Sequence, residues 1–174
     1  MTPNTVSINI LRKILQNLLR ENVSIRDFRS IAEAITGFGQ HQDADLLSSV
    51  CRQALSRQIV QGIIGNESEL PVMTLEPNLE QLLLNSVQQA QKSGANENAF
   101  IEPTMAERLQ KSLMETASQL EIQGKPMILL VAAPLRLMLA KFIHLFIPDM
   151  SVLAFTEVPD NKQLTIEASI GVEN

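Results

Sequence analysis

The sequence predicts an α+β fold: a helical subdomain over residues 1–66, then a small α/β subdomain over residues 67–174 with a mixed sheet of about four strands. Three observations carry that expectation. Apolar residues recur every three or four positions through the first part, which is the helical period. Beyond Gly65-Asn66 and Pro71 that period gives way to short apolar runs separated by further helical patterns, the rhythm of strands alternating with helices. Charge divides at the same place: residues 1–66 hold 7 basic and 5 acidic side chains, residues 67–174 hold 7 and 14, within a net charge of −5.

Ile8, Leu11, Ile14, Leu15, Leu18 and Leu19 share one face of a helix near residues 7–20. Ser24-Ile25-Arg26-Asp27 has the form of a capping box, a Ser N-cap with a carboxylate three residues on, ahead of Phe28, Ile31, Ala32 and Ile35. Gly37 and Gly39 are expected to stop that second helix. Asp43 can cap a third, which carries Leu46, Leu47, Val50, Cys51, Ala54, Leu55 and Ile59 as one continuous stripe. A helical unit of this size buries a small fraction of its surface, so it is expected to lean on the α/β part or on neighbouring molecules.

The run Val72-Met73-Thr74-Leu75 reads as the first strand. Pro77-Asn78 then introduces a helix through Leu79, Leu82, Leu83, Val87 and Ala90, and Ser93–Ala99, with Gly94, reads as a polar loop. Pro103 suits the first turn of a helix carrying Met105, Leu109, Leu113, Ala117 and Leu120 up to Gly124. Met127-Ile128-Leu129-Leu130-Val131 is unbroken apolar sequence, as in a strand covered on both faces. Pro134 opens a helix with Leu135, Met138, Leu139, Phe142, Ile143 and Phe146 on one face, and Pro148 ends it. Val152-Leu153-Ala154-Phe155 is a third strand, and a turn at Pro159-Asp160-Asn161 leads to a fourth, Leu164–Ala168.

Composition excludes several functions. At 45% hydrophobic and 19% charged the chain is globular rather than disordered. It has no Trp or Tyr for stacking on bases, and an acidic balance unsuited to nucleic acid. No apolar run approaches the roughly 20 residues that span a bilayer, and no signal segment opens the chain, so a soluble, cytoplasmic protein is expected. The lone Cys51 rules out an internal disulfide.

Motifs that would carry chemistry are incomplete. Gly124-Lys125 lacks the earlier glycine and the following Ser or Thr of a phosphate loop: Gln119 and Pro126 stand there. Gly37-Phe38-Gly39 lacks a third glycine at Gln42 and follows a helix, so it is a helix stop rather than a dinucleotide loop. His41 falls in a polar loop and His144 on an apolar helix, neither with partners at metal-ligand spacing. Cys51 lies on an apolar face as a small buried residue. Ser56 and Ser118 have no nucleophile elbow. Asp43 and Asp45 are explained by a helix start, and Met105, Met114 and Met138 by core filling. No catalytic, cofactor-binding or metal-ligating residue is assigned, and the chain is expected not to be an enzyme. Arg20, Arg26, Arg29, Arg52 and Arg57 divide between two readings: solvated helix surface, or protein contacts of the kind arginine favours.

The strings Leu15-Gln16-Asn17-Leu18-Leu19, Val23-Ser24-Ile25-Arg26-Asp27 and Arg52-Gln53-Ala54-Leu55-Ser56-Arg57 resemble the C-terminal cytoplasmic region of the flagellar and type III secretion export-gate family, that of FlhA. Leu79–Leu84, Ile128–Val131 with Pro134-Leu135-Arg136, and the ending Ile166–Gly171, which leans flagellar, extend the resemblance over nearly the whole chain. It implies a non-enzymatic platform on the cytoplasmic side of the bacterial inner membrane. Its implied partners are other copies of the export-gate protein in a ring, with export chaperones, substrates and ATPase-complex components engaged through the full-length protein. The family's membrane-spanning region and earlier cytoplasmic subdomains have no counterpart in these 174 residues, so no chaperone-docking residue is carried over. Ring contacts in the family involve the helical subdomain matching residues near 1–66, which makes Arg26, Asp27 and Arg29 the candidate protein-contact residues. Two rival readings are a stand-alone adaptor or remnant of that protein, and a small-ligand-binding α/β enzyme.

Overall fold

The computed structural model describes residues 7–38, 43–93 and 101–171. Two compact units emerge. One is Met1–Asn66 together with Glu157–Pro159; the other is Glu67–Thr156 with Asp160–Asn174. Nothing local in the sequence marks Glu157–Pro159 as part of the helical unit.

That unit contains α1 (Ile8–Arg20), α2 (Phe28–Phe38), α3 (Ala44–Ala54) and α4 (Ser56–Ile64). Ser7 caps α1 by accepting the Ile10 N–H. At its other end Asn22 takes a left-handed φ of 61°, while Val23 N–H donates to Leu18 O and Asn22 N–H to Leu19 O. This is a Schellman closure with Asn where Gly is usual. Ile14 and Leu18, Ile31 and Ile35, and Leu47, Cys51 and Leu55 form one buried cluster, each helix giving the residues that its period puts on one face.

Gly37 lies in the last turn of α2, which ends at Phe38. Two local expectations are corrected. The single helix expected after Asp43 is two, broken at Leu55, whose N–H is shared between the Cys51 and Arg52 carbonyls; no glycine or proline signals the break. The cap of α2 is Asp27, not Ser24. Ser24 instead accepts the Arg26 N–H, and residues 23–25 stay outside the helix, with Val23 buried in the core and Ile25 packed partly against it. Gly39, His41 and residues 94–99 of the expected loop lie outside the described residues.

The second unit contains β1 (Glu69–Leu75), α5 (Pro77–Ser93), α6 (Pro103–Ile122), β2 (Ile128–Val131), α7 (Ala133–Ile143), β3 (Ser151–Ala154), a single 3-10 turn (Phe155–Glu157) assigned in part to the helical unit, and β4 (Gln163–Ile170). Strand order is β3-β2-β1-β4. The sheet is parallel throughout rather than mixed. Residues 155–162 do not fold β4 back onto β3 as a hairpin; β4 joins the opposite edge, beside β1. Phe155, expected in a strand, opens the 3-10 turn.

Pro71 falls inside β1 rather than before it. Gln163 N–H donates to Ser68 O, so by the alternation of a parallel ladder Leu70 and Val72 face β4 and the Pro71 nitrogen faces the other side. There β2 pairs β1 only at Met73 and Thr74, so no ladder bond is lost. One face of the sheet, through Met73, Leu75, Leu129, Val131, Val152 and Ile170, packs with the apolar stripes of α5, α6 and α7. Leu70, Val72, Ile128, Leu130 and Leu153 are buried as well, so β1, β2 and β3 are largely dry on both faces, whereas the edge strand β4 is exposed or half-buried along most of its length.

Candidate protein-contact site

Asp27 holds the start of α2. Its Oδ1 accepts the Ser30 N–H at 3.1 Å, and its Oδ2 accepts the Ser30 hydroxyl at 2.6 Å and the Gln58 amide at 2.8 Å. The carboxylate thereby satisfies an orphan donor of the first helical turn and ties α2 to α4. Hydrogen bonds favour its charged form: the Ser30 hydroxyl first, then the Ser30 N–H and Gln58, hold the carboxyl below its ordinary range, with a smaller contribution from Arg29.

Arg26 and Arg29 are exposed on either side of this cap. Arg29 Nε donates to Glu33 Oε1 at 3.0 Å one helical turn on, in a pair that stays largely in water. Such a pair holds the guanidinium weakly and leaves it available to a competing carboxylate. Phe28, between them, is also solvent-exposed. The three predicted residues are thus adjacent but unlike: two solvated cations flank a carboxylate committed to its own chain.

Arg52 answers to neither reading of the arginines made from the sequence. It is buried, and its guanidinium forks onto Glu157, with Nε to Oε2 at 2.7 Å and Nη2 to Oε1 at 3.2 Å. Nη1 lies 3.8 Å from Glu21 Oε2 at the end of α1. Position 52 follows Cys51 on the inner side of α3, and its carboxylate arrives from 105 residues away. No spacing rule could have found that partner.

The remaining candidates resolve structurally. Asp43 caps α3 through Asp45 N–H and Leu46 N–H, and Asp45 accepts from the Asn17 amide, which also donates to Ser48 Oγ. His144 Nε2 bonds to Met150 O at 2.8 Å, bridging the segment between α7 and β3. Burial pushes the Cys51 thiol up to about 11, far from the thiolate a nucleophile needs. Among the described residues no group of three or more His, Cys, Asp or Glu could hold a metal ion, and no helix is long and apolar enough to cross a membrane.

The FHIPEP family model covers residues 1–163. The flagellar biosynthesis protein FlhA of Yersinia enterocolitica is 39% identical over 171 residues, and that of Buchnera aphidicola (subsp. Acyrthosiphon pisum) 38% over 172, each match covering 98% of this chain. The chain spans about a quarter of the length of these relatives (24%). Among solved structures, the Chlamydia pneumoniae CdsV protein superposes with a TM-score of 0.85 at 23% identity, covering 98% of this chain and 48% of CdsV, a likeness of fold. The complex of C. pneumoniae CdsV and CdsO gives 0.80 at 25% identity (94% and 47%), and the nonameric EscV cytosolic domain from the type III secretion system 0.73 at 28% (92% and 47%). The chain belongs to the FHIPEP family.

Proposed function

We propose that this chain is the C-terminal part of the cytoplasmic platform of a flagellar protein export gate, working through protein contacts in ring assembly and export. The observation that carries the reading is the family match along residues 1–163 together with flagellar FlhA relatives aligned to 98% of the chain. The nonameric EscV neighbour supports a ring of like subunits, and the CdsV–CdsO complex supports docking of a separate protein on such a platform. Export chaperones, substrates and ATPase-complex components are the further partners of the full-length protein, at the cytoplasmic side of the inner membrane. The reading contains no catalytic step.

Within it, Arg26 and Arg29 make the subunit contact and Asp27 presents them. A carboxylate that already accepts three hydrogen bonds from Ser30 and Gln58 is poorly placed to bind a neighbour, whereas two exposed guanidinium groups can form forked pairs with a neighbour's carboxylates. The test is Arg26→Glu in the full-length protein, which should lower ring assembly and motility while leaving the isolated chain folded. Unchanged assembly and motility would refute the contact role. A folded chain that fails to restore any flagellar export when it replaces the aligned quarter of a flagellar FlhA relative would refute the export-gate reading itself.

A further inference from the structure

β4 forms one edge of the sheet, and among the described residues no strand lies against it on the side away from β1. Its outward backbone groups follow from the ladder. Gln163 N–H donates to Ser68 O, so Gln163 faces β1 and the next outward residues are Leu164 and Ile166. At the far end Ile170 O accepts the Glu76 N–H, so Ile170 also faces β1, although it is an odd number of positions away. The bulge reconciles the two: Ile166 pairs with Val72 and Ala168 with Met73, which leaves Glu167 as the extra residue.

This geometry divides the edge in two. From Gln163 to Ile166 the outward donors and acceptors keep the spacing a further strand needs; past Glu167, which is held by Lys125 Nζ at 2.7 Å, the spacing is broken. The regular half is also the apolar half, with Leu164 40% and Ile166 64% exposed. Its beginning is acidic. Gln163 is in register with Glu69, which is exposed, as are Glu67 and Asp160, while the Lys162 ammonium bonds to the Glu67 carbonyl.

We propose that the Gln163–Ile166 edge receives an extended segment of another protein as a fifth strand, one that places an apolar residue beside Leu164 or Ile166 and a lysine or arginine beside Gln163. Main-chain bonds to Leu164 and Ile166 give affinity, apolar contact gives register, and the carboxylates at Glu67, Glu69 and Asp160 select the basic end. The proposal goes beyond the export-gate reading and does not depend on Arg26 or Arg29.

The probe is a synthetic peptide of alternating valine and threonine with two lysines at one end, titrated into the isotope-labelled chain and followed by amide shifts and hydrogen exchange. Slowed exchange at Leu164 and Ile166, with shifts confined to β4, is the expected result. Ile166→Pro removes an outward N–H and the isoleucine side chain together, at a position where a strand tolerates proline, and should weaken binding about tenfold or more with the remaining spectrum preserved. Should that variant not fold, the same peptide N-methylated at alternate residues must show the same loss against the unmodified chain. Replacing the lysines by glutamates should weaken binding further. Binding insensitive to both blocks, or no protection of Leu164 and Ile166 at millimolar peptide, overturns the proposal. So does a concentration-dependent dimer that Ile166→Pro dissolves, which would give the edge to a second copy of the chain.

Discussion

Replacing Arg52 by methionine removes the cation from a pair whose side chains are 4% and 3% exposed, and leaves the Glu157 carboxylate inside the fold without its forked partner. Two unit charges about 4 Å apart at an effective dielectric near 20 attract by about 4 kcal/mol, and the bonds at 2.7 and 3.2 Å are closer than that. Breaking a buried pair from one side costs about 3–5 kcal/mol, because the surviving charge stays desolvated. Glu21, 3.8 Å away and 12% exposed, reaches water more readily and adds less. The assay is urea unfolding with native-state hydrogen exchange on α1–α3 amides. Arg52→Met should lose about 3–5 kcal/mol, and Arg52→Met with Glu157→Leu should recover most of it, since the more deeply buried of the two carboxylates is then gone along with its cation. Lys125→Met, which breaks a pair 38% and 22% exposed, is the control at about 1 kcal/mol or less. A loss from Arg52→Met no larger than the control's, or a double variant no more stable than the single one, would refute the reasoning.

The native carboxyl of Asp27 lies below its ordinary value of 3.8, so the stability it lends is fully present above that value and is lost as pH falls through the native one. The difference in unfolding midpoint between the chain and Asp27→Asn should stay level from pH 7 to about 5 and shrink below about 4; a difference that persists undiminished to about pH 2 contradicts this. Cys51, with its thiol near 11 and fully enclosed, should resist a disulfide reagent at neutral pH and react completely in denaturant, whereas fast native labelling would show that the α2–α3 core opens.

Where a structural feature depends on near neighbours in the chain, the amino-acid sequence was enough to find it. The helical period of Ile14 and Leu18, or of Ile31 and Ile35, marks the buried faces because residues three and four apart share one side of a helix. The unbroken run Ile128–Val131 marks a strand dry on both faces, and Asp43 marks the start of α3. Caps within a few residues of one another were less secure. Ser24 and Asp27 are both good N-cap residues, and the burial of Val23 and Ile25 decides for Asp27. The contact candidates Arg26 and Arg29 were legible as exposed cations, but the role of Asp27 between them depends on Gln58, 31 positions on.

By itself, then, the sequence determined the family, the order of helices and strands and most of the core, since each rests on local periodicity and on strings that persist along the chain. Only tertiary structure decided three things. It turned the expected mixed sheet into a parallel one by carrying β4 to the far edge; it buried Arg52 while Arg26 and Arg29 stayed exposed; and it left the outer edge of β4 without a partner strand among the described residues. Each is a choice of partner between residues far apart in the chain. Such choices are set by which apolar surfaces close on one another and which charges must then be matched, and neither is written in any short stretch of sequence.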